Sequence, residues 1–176
     1  MKNNFKSLVL LIAAILFILF PASTIKAQER KILNFDDFAG VPTLGSTSTA
    51  HTSYTVYYRY KVDQTQNRLV FKVNVEFNNE KSWFRRDKRS PDYLNKILNH
   101  EQGHYDIGFI MKNEVEKTLN GFKYSKNYKM EIDSLFKTIH AKYGLLEVRY
   151  DDETRHGLNS DFQNTWNKFF NDKIRK

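Results

Sequence analysis

The chain has 176 residues, of which 40% are hydrophobic and 15% aromatic, and it contains no cysteine. This composition excludes an intrinsically disordered chain, a collagen-like repeat and a disulfide-stabilised scaffold. It also excludes thiol catalysis and a zinc site built from cysteine, so any metal site must use His, Asp or Glu. The 28 basic and 20 acidic residues give a net charge of +8.

The first 27 residues have the pattern of a secretory signal peptide. Two lysines precede a 13-residue apolar run from Leu8 to Phe20, and a short segment ends at Ala27. The run is shorter than the roughly 20 residues that span a membrane, so we expect cleavage after Ala27, with an uncleaved N-terminal anchor as the alternative. Cleavage removes three lysines and no acid, which lowers the net charge to +5. The prediction is an exported, periplasmic or extracellular protein with no stable membrane span after cleavage and one monomeric domain over residues 28–176.

A basic cluster between Asn78 and Ser90 raises the question of nucleic-acid binding. It contains five Lys and Arg residues together with Trp83 and Phe84, a combination able to hold phosphates and stack a base. An exported protein rarely meets nucleic acid, and charged loops are more often simply solvated. We therefore expect no nucleic-acid partner, and attribute the positive charge to attraction towards an anionic cell envelope.

The first half of the domain has the alternation of β-strands. Apolar and polar residues alternate over Tyr54–Val62 and again over Leu69–Phe77, and the polar connection between them is short. This pattern predicts an antiparallel hairpin with one buried face. A third, weaker strand is predicted over Lys31–Phe35, and the Ser- and Thr-rich stretch Thr43–Thr55 is interpreted as an irregular connection.

The second half has helical periodicity. Ser90 and Pro91 are typical of a helix start, and the pattern continues to about Leu119, where Asn120 and Gly121 end it. Later helices are predicted over Tyr128–Lys142 and Asn159–Phe170, with a tight irregular segment over Tyr150–Gly157. The order predicts an α+β fold in which an N-terminal antiparallel sheet precedes a long helix and further C-terminal helices.

The middle of the long helix contains His100-Glu101-Gln102-Gly103-His104. His100, Glu101 and His104 fall on the apolar stripe, where burying ionisable groups costs several kcal/mol unless partners compensate them. The string is an HExxH motif, in which two His at i and i+4 can hold one Zn²⁺ and the Glu can act on a water. We predict His100 and His104 as zinc ligands and Glu101 as general base; two hydrogen-bonded core histidines are the alternative.

A catalytic zinc takes three protein ligands and a water, so a third ligand must come from another element. Within the helix, Asp106 falls on the polar stripe and Glu114 lies about 15 Å along the axis. The candidates elsewhere are His140 and His156, followed by Asp151, Asp152 and Glu153. We favour His156, because a His beside a Gly on a tight segment can turn into a core cleft, and interpret His140 and His51 as ordinary polar residues.

Several segments together resemble a known family. They are Leu33-Asn-Phe-Asp-Asp-Phe-Ala-Gly40, Thr49-Ala-His-Thr-Ser53, Ser82-Trp83, Leu98-Asn-His-Glu-Gln-Gly-His-Tyr-Asp-Ile107, and Tyr150-Asp-Asp-Glu-Thr-Arg-His-Gly157 followed by Gln163 and Trp166. This set resembles the bacterial family of domain of unknown function 922, described as predicted secreted zinc-dependent proteases. The resemblance implies a zinc peptidase, and its closing Thr-x-His-Gly pattern, at Thr154, His156 and Gly157, supports His156 as a ligand.

The function predicted from the sequence is therefore a secreted zinc-dependent peptidase with a zincin-like fold. Zn²⁺ would be held by His100, His104 and His156, and Glu101 would serve as general base on a protein or peptide substrate. Tyr150 or Arg149 is expected as a second oxyanion donor, and strand Leu69–Phe77 as an edge along which an extended substrate pairs. The alternatives are a non-catalytic zinc-stabilised envelope or peptide-binding module and a zinc amidase acting on cell-wall material.

Overall fold

A computed structural model describes residues 28–87 and 89–174. The predicted signal peptide therefore lies outside the described residues. The described chain is α+β, as predicted, with antiparallel strands first and three helices after them. The strands are β1 Ala50–His51, β2 Tyr54–Asp63, β3 Arg68–Phe77 and β4 Trp83–Phe84, and the helices are α1 Pro91–Gly121, α2 Tyr128–Thr154 and α3 Ser160–Ile174.

β2 and β3 form the predicted hairpin. Its register pairs Tyr54 with Phe77 at one end and Asp63 with Arg68 at the other. A second, shorter pair joins β1 to β4, also antiparallel. The period of two in the sequence sets the buried face of the hairpin, since alternate residues of β3 pack against the helices. These are Phe71, Val73, Val75 and Phe77.

The outer edge of β3 is occupied by side chains. The Asn120 amide accepts a hydrogen bond from the Phe71 N–H at 2.9 Å and donates to the Phe71 carbonyl at 3.0 Å. The Gln28 amide makes the same pair of bonds with Val75, at 3.0 and 2.5 Å. An extended peptide could add to this edge only by displacing these amides. The arrangement argues against the expectation that Leu69–Phe77 aligns a substrate.

The N-terminal segment, residues 28–38, is irregular, so the strand predicted over Lys31–Phe35 is wrong. Asn34 instead caps a 3₁₀ turn at Phe35–Asp37. Its side chain accepts a hydrogen bond from the Asp36 N–H at 2.8 Å, and its own N–H donates to the last residue of the turn at 2.8 Å. These local bonds satisfy backbone and side-chain groups that would otherwise favour a strand partner.

The N-terminal segment covers the polar stripe of α1. Arg30 donates to the Asp106 carboxylate at 2.7 and 2.5 Å. Gln102 accepts a hydrogen bond from the Leu33 N–H at 2.7 Å and donates to the Lys31 carbonyl at 3.3 Å. Asp106 is only 1% exposed, and the Arg30 guanidinium supplies the opposite charge that such burial requires.

α2 is longer than the sequence predicts. It continues past the expected end at Lys142, through Gly144, to Thr154, so the segment expected to be irregular begins as helix. Three side chains at helical spacing, Ile139, Tyr143 and Tyr150, are buried. Their packing outweighs the roughly 1 kcal/mol that a glycine costs inside a helix. As a consequence, the acidic residues before Thr154 project from a rigid helix.

α1 is the central element of the fold. The hairpin, α2 and α3 all pack against it in one core, and the hairpin also contacts α2, where Tyr58 lies against Phe136. Ser90 caps its first turn by accepting a hydrogen bond from the Tyr93 N–H at 3.3 Å, with Pro91 as the first helical residue, as predicted. Among the described helices, none is both long and apolar enough to cross a membrane.

Candidate metal centre

Three side chains from two helices converge beside the middle of α1. The Nε2 atoms of His100 and His104 lie 3.1 Å apart. Asp151 Oδ1, from the last turns of α2, lies 3.0 Å from the first nitrogen and 3.1 Å from the second. Ligand atoms of a tetrahedral zinc ion, each about 2.0–2.1 Å from it, are about 3.3 Å apart. The triangle therefore has the size of one face of a tetrahedral metal site.

The outer nitrogens of the two imidazoles are held by hydrogen bonds. The Thr154 hydroxyl donates to the Tyr150 carbonyl at 2.6 Å, so it accepts from His100 Nδ1, 3.2 Å away. His104 Nδ1 donates to the Glu147 carboxylate. With both Nδ1 atoms protonated, each Nε2 presents a lone pair to the centre of the triangle. This is the arrangement that orients histidines towards a bound metal.

Three acceptor atoms at this distance repel one another unless a cation lies between them. Burial lowers the pKa of His104, but hydrogen bonds to Asp151 and Glu147 outweigh it and raise the pKa to about 10. Burial raises the pKa of the Asp151 carboxyl, but in the metal-free site hydrogen bonds from His100 and His104, donated when their Nε2 atoms carry a proton, outweigh it and hold the pKa well below its usual range. The site therefore favours a cation, either a proton or a metal ion.

One face of α2 supplies this environment, and most of its residues are not among those predicted from the sequence. Glu147 and Asp151 are four residues apart and Thr154 follows three later, so all three face α1. The Tyr54 hydroxyl donates to the second oxygen of Glu147 at 2.6 Å. The spacing was visible in the sequence, but ending the helix at Lys142 concealed that these residues share a face.

Gly103, inside the HExxH motif, permits close contact between α1 and α2. A Cβ at this position would lie 2.1 Å from the Tyr150 hydroxyl oxygen. That hydroxyl donates to the His100 carbonyl at 2.9 Å and accepts from Gln163 at 2.8 Å. The Tyr150 ring also stacks on the His100 imidazole, with centroids 4.6 Å apart. The small residue in the motif thus lets a buried tyrosine support the first histidine.

Neither residue expected as a second oxyanion donor is placed for that role. Tyr150 is fully buried and uses its hydroxyl proton on the backbone of α1. Arg149 donates to Glu153 at 2.8 Å and lies over the Trp166 ring, at a different groove. The expectation is wrong because it relied on proximity in sequence, whereas adjacent helical residues point about 100° apart.

Glu101 is placed at the wall of the cleft in front of the triangle. It is 5% exposed, and its Oε2 atom has no hydrogen-bond partner among the described residues. A buried carboxylate oxygen without a partner is costly, so it calls for a functional explanation. The sequence predicted that Glu101 lies on the buried face beside His100 and His104, and the structure agrees.

His156 lies at the rim of the site. Its Nδ1 is 3.3 Å from Asp151 Oδ1, its ring centroid is 6.1 Å from that of His100, and its side chain is 76% exposed. Among the described residues, the group whose ligand atoms all lie within 4.8 Å of one another is His100, His104 and Asp151. The structure thus brings His156 next to the triangle without including it, and its role as the third zinc ligand stays a prediction.

The other candidates from the sequence lie apart from the triangle or at its margin. His140 is exposed on α2 beside the Phe136 ring. Glu114 accepts hydrogen bonds from Lys142 and Tyr143. Asp106 pairs with Arg30, and Glu153 accepts hydrogen bonds from Arg149 and Trp166. Asp152 is exposed. His51 lines the far wall of the cleft.

The cleft in front of the triangle has a volume of about 670 Å³. One wall is α1 with the end of α2, and the other is the segment 47–54, which includes β1. Thr52 fixes this wall to α1, because its hydroxyl donates to the Glu101 carbonyl at 3.2 Å. The Ser- and Thr-rich stretch, predicted as an irregular connection, therefore supplies the opposite wall of the cleft.

Residues 37–157 match the profile of the family described as Bacterial protein of unknown function (DUF922). The chain belongs to the DUF922 family. The matched region begins in the N-terminal segment and ends just after His156, so it includes the whole triangle, Glu101 and the segment 47–54 of this DUF922 chain. This confirms the family predicted from the sequence motifs. No curated protein and no solved structure matches the chain.

Proposed function

We propose that this protein is a zinc-dependent peptidase in which His100, His104 and Asp151 hold the metal and Glu101 is the general base. The observation that carries the proposal is the convergence of three acceptor atoms, 3.0–3.1 Å apart, beside a buried carboxylate with an unpartnered oxygen. Two imidazoles and one carboxylate are a donor set typical of catalytic zinc.

The zinc ion, when bound, supplies a Lewis acid that lowers the pKa of water towards neutrality and polarises a peptide carbonyl. Glu101 takes a proton from the attacking water and delivers it to the leaving nitrogen. Its free Oε2 suits this task, because an oxygen already engaged in a hydrogen bond would have to release its partner first. Glu147 and Thr154 keep the two imidazoles oriented by binding their Nδ1 protons.

The number of ligands separates this proposal from the zinc-stabilised binding module. Structural zinc sites are closed by four protein ligands, whereas catalytic sites keep one position open. His156 lies outside the compact group, which leaves the side facing the cleft free of a fourth protein ligand among the described residues. Burying the Glu101 carboxylate without a hydrogen-bond partner for Oε2 costs stability, and a purely structural zinc site would gain nothing from it.

The proposal includes a zincin-like arrangement, in which the HExxH helix forms one wall of the cleft and the segment 47–54 forms the other. An extended substrate would lie between them. Export to the periplasm or beyond, which rests on the pattern of residues 1–27, belongs to the same proposal.

The experiment that tests the proposal compares wild type with Glu101→Gln. Wild type should bind about one zinc per chain and cleave an unfolded protein, whereas Glu101→Gln should keep the zinc and lose at least about 100-fold in rate. Glu80→Gln, at an exposed position in the short 3₁₀ turn between β3 and β4 that does not line the cleft, is the control and should behave as wild type. A wild type that binds no zinc would refute the proposal, and cleavage of peptidoglycan but not of proteins would favour the cell-wall amidase.

A further inference from the structure

The turn that follows α2 carries a cation whose role is not explained by the metal centre. Arg155 lines the cleft and is exposed. Within the described residues, its guanidinium has no hydrogen-bond, ion-pair or ring partner. Three carboxylates line the same cleft, on Glu101, Glu147 and Asp151. A cation left unpaired beside these acids is available to a ligand.

The backbone of this turn is both strained and rigid. Arg155 and His156 have φ values of 50° and 51°, in the left-handed region that non-glycine residues rarely adopt. Gly157 follows at 84°, and a Cβ there would lie 2.7 Å from the Cβ of His100. Hydrogen bonds from the His156 N–H to the Asp151 carbonyl, at 3.1 Å, and from Asn159 to Thr154, at 2.7 Å, hold the turn. Strain retained in this way is typical of functional sites.

This turn directs two side chains towards the cleft at a fixed position relative to α1. Because Gly157 packs directly on His100, the backbone of Arg155, two residues earlier, is anchored close to the candidate ligands, and its side chain reaches the cleft from there. Arginine binds carboxylates through two parallel N–H groups, which makes it suited to recognise such a group on a ligand.

Resting on the proposed peptidase function, we propose that Arg155 binds a carboxylate of the substrate close to the scissile bond. Such a carboxylate can be the C-terminal α-carboxylate of a peptide or the side chain of an Asp or Glu residue. Tyr93, Ile97 and Leu158 also line this cleft, and Leu158 is 56% exposed. The preferred substrate therefore combines this carboxylate with an apolar side chain.

The test uses three peptides that differ only in their carboxylate. They are acetyl-Ala-Ala-Phe with a free C-terminus, the same peptide as the C-terminal amide, and acetyl-Ala-Asp-Phe as the amide. Cleavage is measured with the zinc-loaded wild type, and binding is measured by calorimetry with zinc-loaded Glu101→Gln. Each measurement is repeated with Arg155→Gln and with Arg149→Gln, a cation on α2 that faces a different groove.

We expect wild type to prefer one of the carboxylate peptides over the neutral amide by about 10- to 100-fold, and Arg155→Gln to lose this preference while Arg149→Gln keeps it. The preferred peptide identifies the source of the carboxylate. If Arg155→Gln keeps the preference, the carboxylate binds elsewhere, for example at the metal, and the inference is wrong. Equal binding of all three peptides by the zinc-loaded protein also overturns it. If wild type cleaves all three peptides equally well, the role of Arg155 is wrong and the peptidase function stands. If binding depends on Arg155 but wild type cleaves none of the peptides, the peptidase function is wrong and the carboxylate site stands.

Discussion

Asp151 Oδ1 lies 3.0 Å from His100 Nε2, although 51 positions separate the two residues in the chain. The contact joins α2 to α1 at the HExxH motif, so the candidate metal centre is assembled between two helices. Which group completes the candidate site beside the two histidines is therefore decided by helix packing.

Removing the Asp151 carboxylate should weaken zinc binding much more than removing the His156 imidazole. Asp151→Asn replaces the anionic ligand oxygen with a neutral amide oxygen, a much weaker zinc ligand, so we expect zinc affinity to fall by at least about 100-fold. His156→Ala should change it by less than about 5-fold, because this side chain lies at the exposed rim. Competition with a zinc chelator measures both affinities. The reverse order would restore His156 as the ligand.

Glu147→Gln should reduce zinc affinity by about 10- to 100-fold without removing a ligand. The Glu147 carboxylate accepts the Nδ1 proton of His104, and losing its charge makes the imidazole a weaker donor to the metal. Glu131→Gln, on the first turn of the same helix and far from the site, is the control. If chelator competition gives the same affinity for both variants, the supporting role assigned to Glu147 is wrong.

Two glycines inside helices should respond in opposite ways to substitution by alanine. At Gly103 a Cβ would overlap the Tyr150 hydroxyl, so Gly103→Ala should lower the free energy of unfolding by roughly 2–4 kcal/mol. At Gly144 nothing lies within 4 Å of a Cβ, so Gly144→Ala should raise it by about 0.5–1 kcal/mol. Urea denaturation of the two variants provides the comparison, and a tolerated Gly103→Ala would contradict the described contact between α1 and α2.

Arg30→Met should destabilise the fold by roughly 2–4 kcal/mol, because it leaves the Asp106 carboxylate buried without its partner. Lys168→Met breaks an exposed ion pair with Asp172 on α3 and should cost less than about 0.5 kcal/mol. Both values come from thermal or urea unfolding. Equal effects would mean that the N-terminal segment does not stabilise α1 through Arg30.

The metal-free protein should lose stability as the pH rises above neutrality. The pKa of His104 is raised to about 10 in the folded chain by Asp151 and Glu147, against about 6.5 when unfolded. The stabilisation is complete below pH 6.5 and is lost as the pH rises through about 10. Urea unfolding of metal-free wild type and His104→Gln across this range isolates the effect, since the variant should lack it.

The sequence by itself determined the hairpin, the long helix and the placement of HExxH on its buried face. These features depend on interactions between residues close in the chain: the alternation of β2 and β3, the cap at Ser90, and the four-residue spacing of two histidines on one helix face. His100 and Glu101 are buried as predicted, and the family was identified from the same local motifs.

Only the tertiary structure decided which groups meet the two histidines. α2 continues through Gly144 because its tyrosines pack into the core. The free energy gained by this packing cannot be read from local helix propensity. That continuation brings Glu147, Asp151 and Thr154 against α1, while Gly103 determines how closely the helices approach. The candidate metal centre follows from this packing, since a carboxylate and two imidazoles from segments some 50 residues apart can be brought within 3.1 Å only by a close contact between helices.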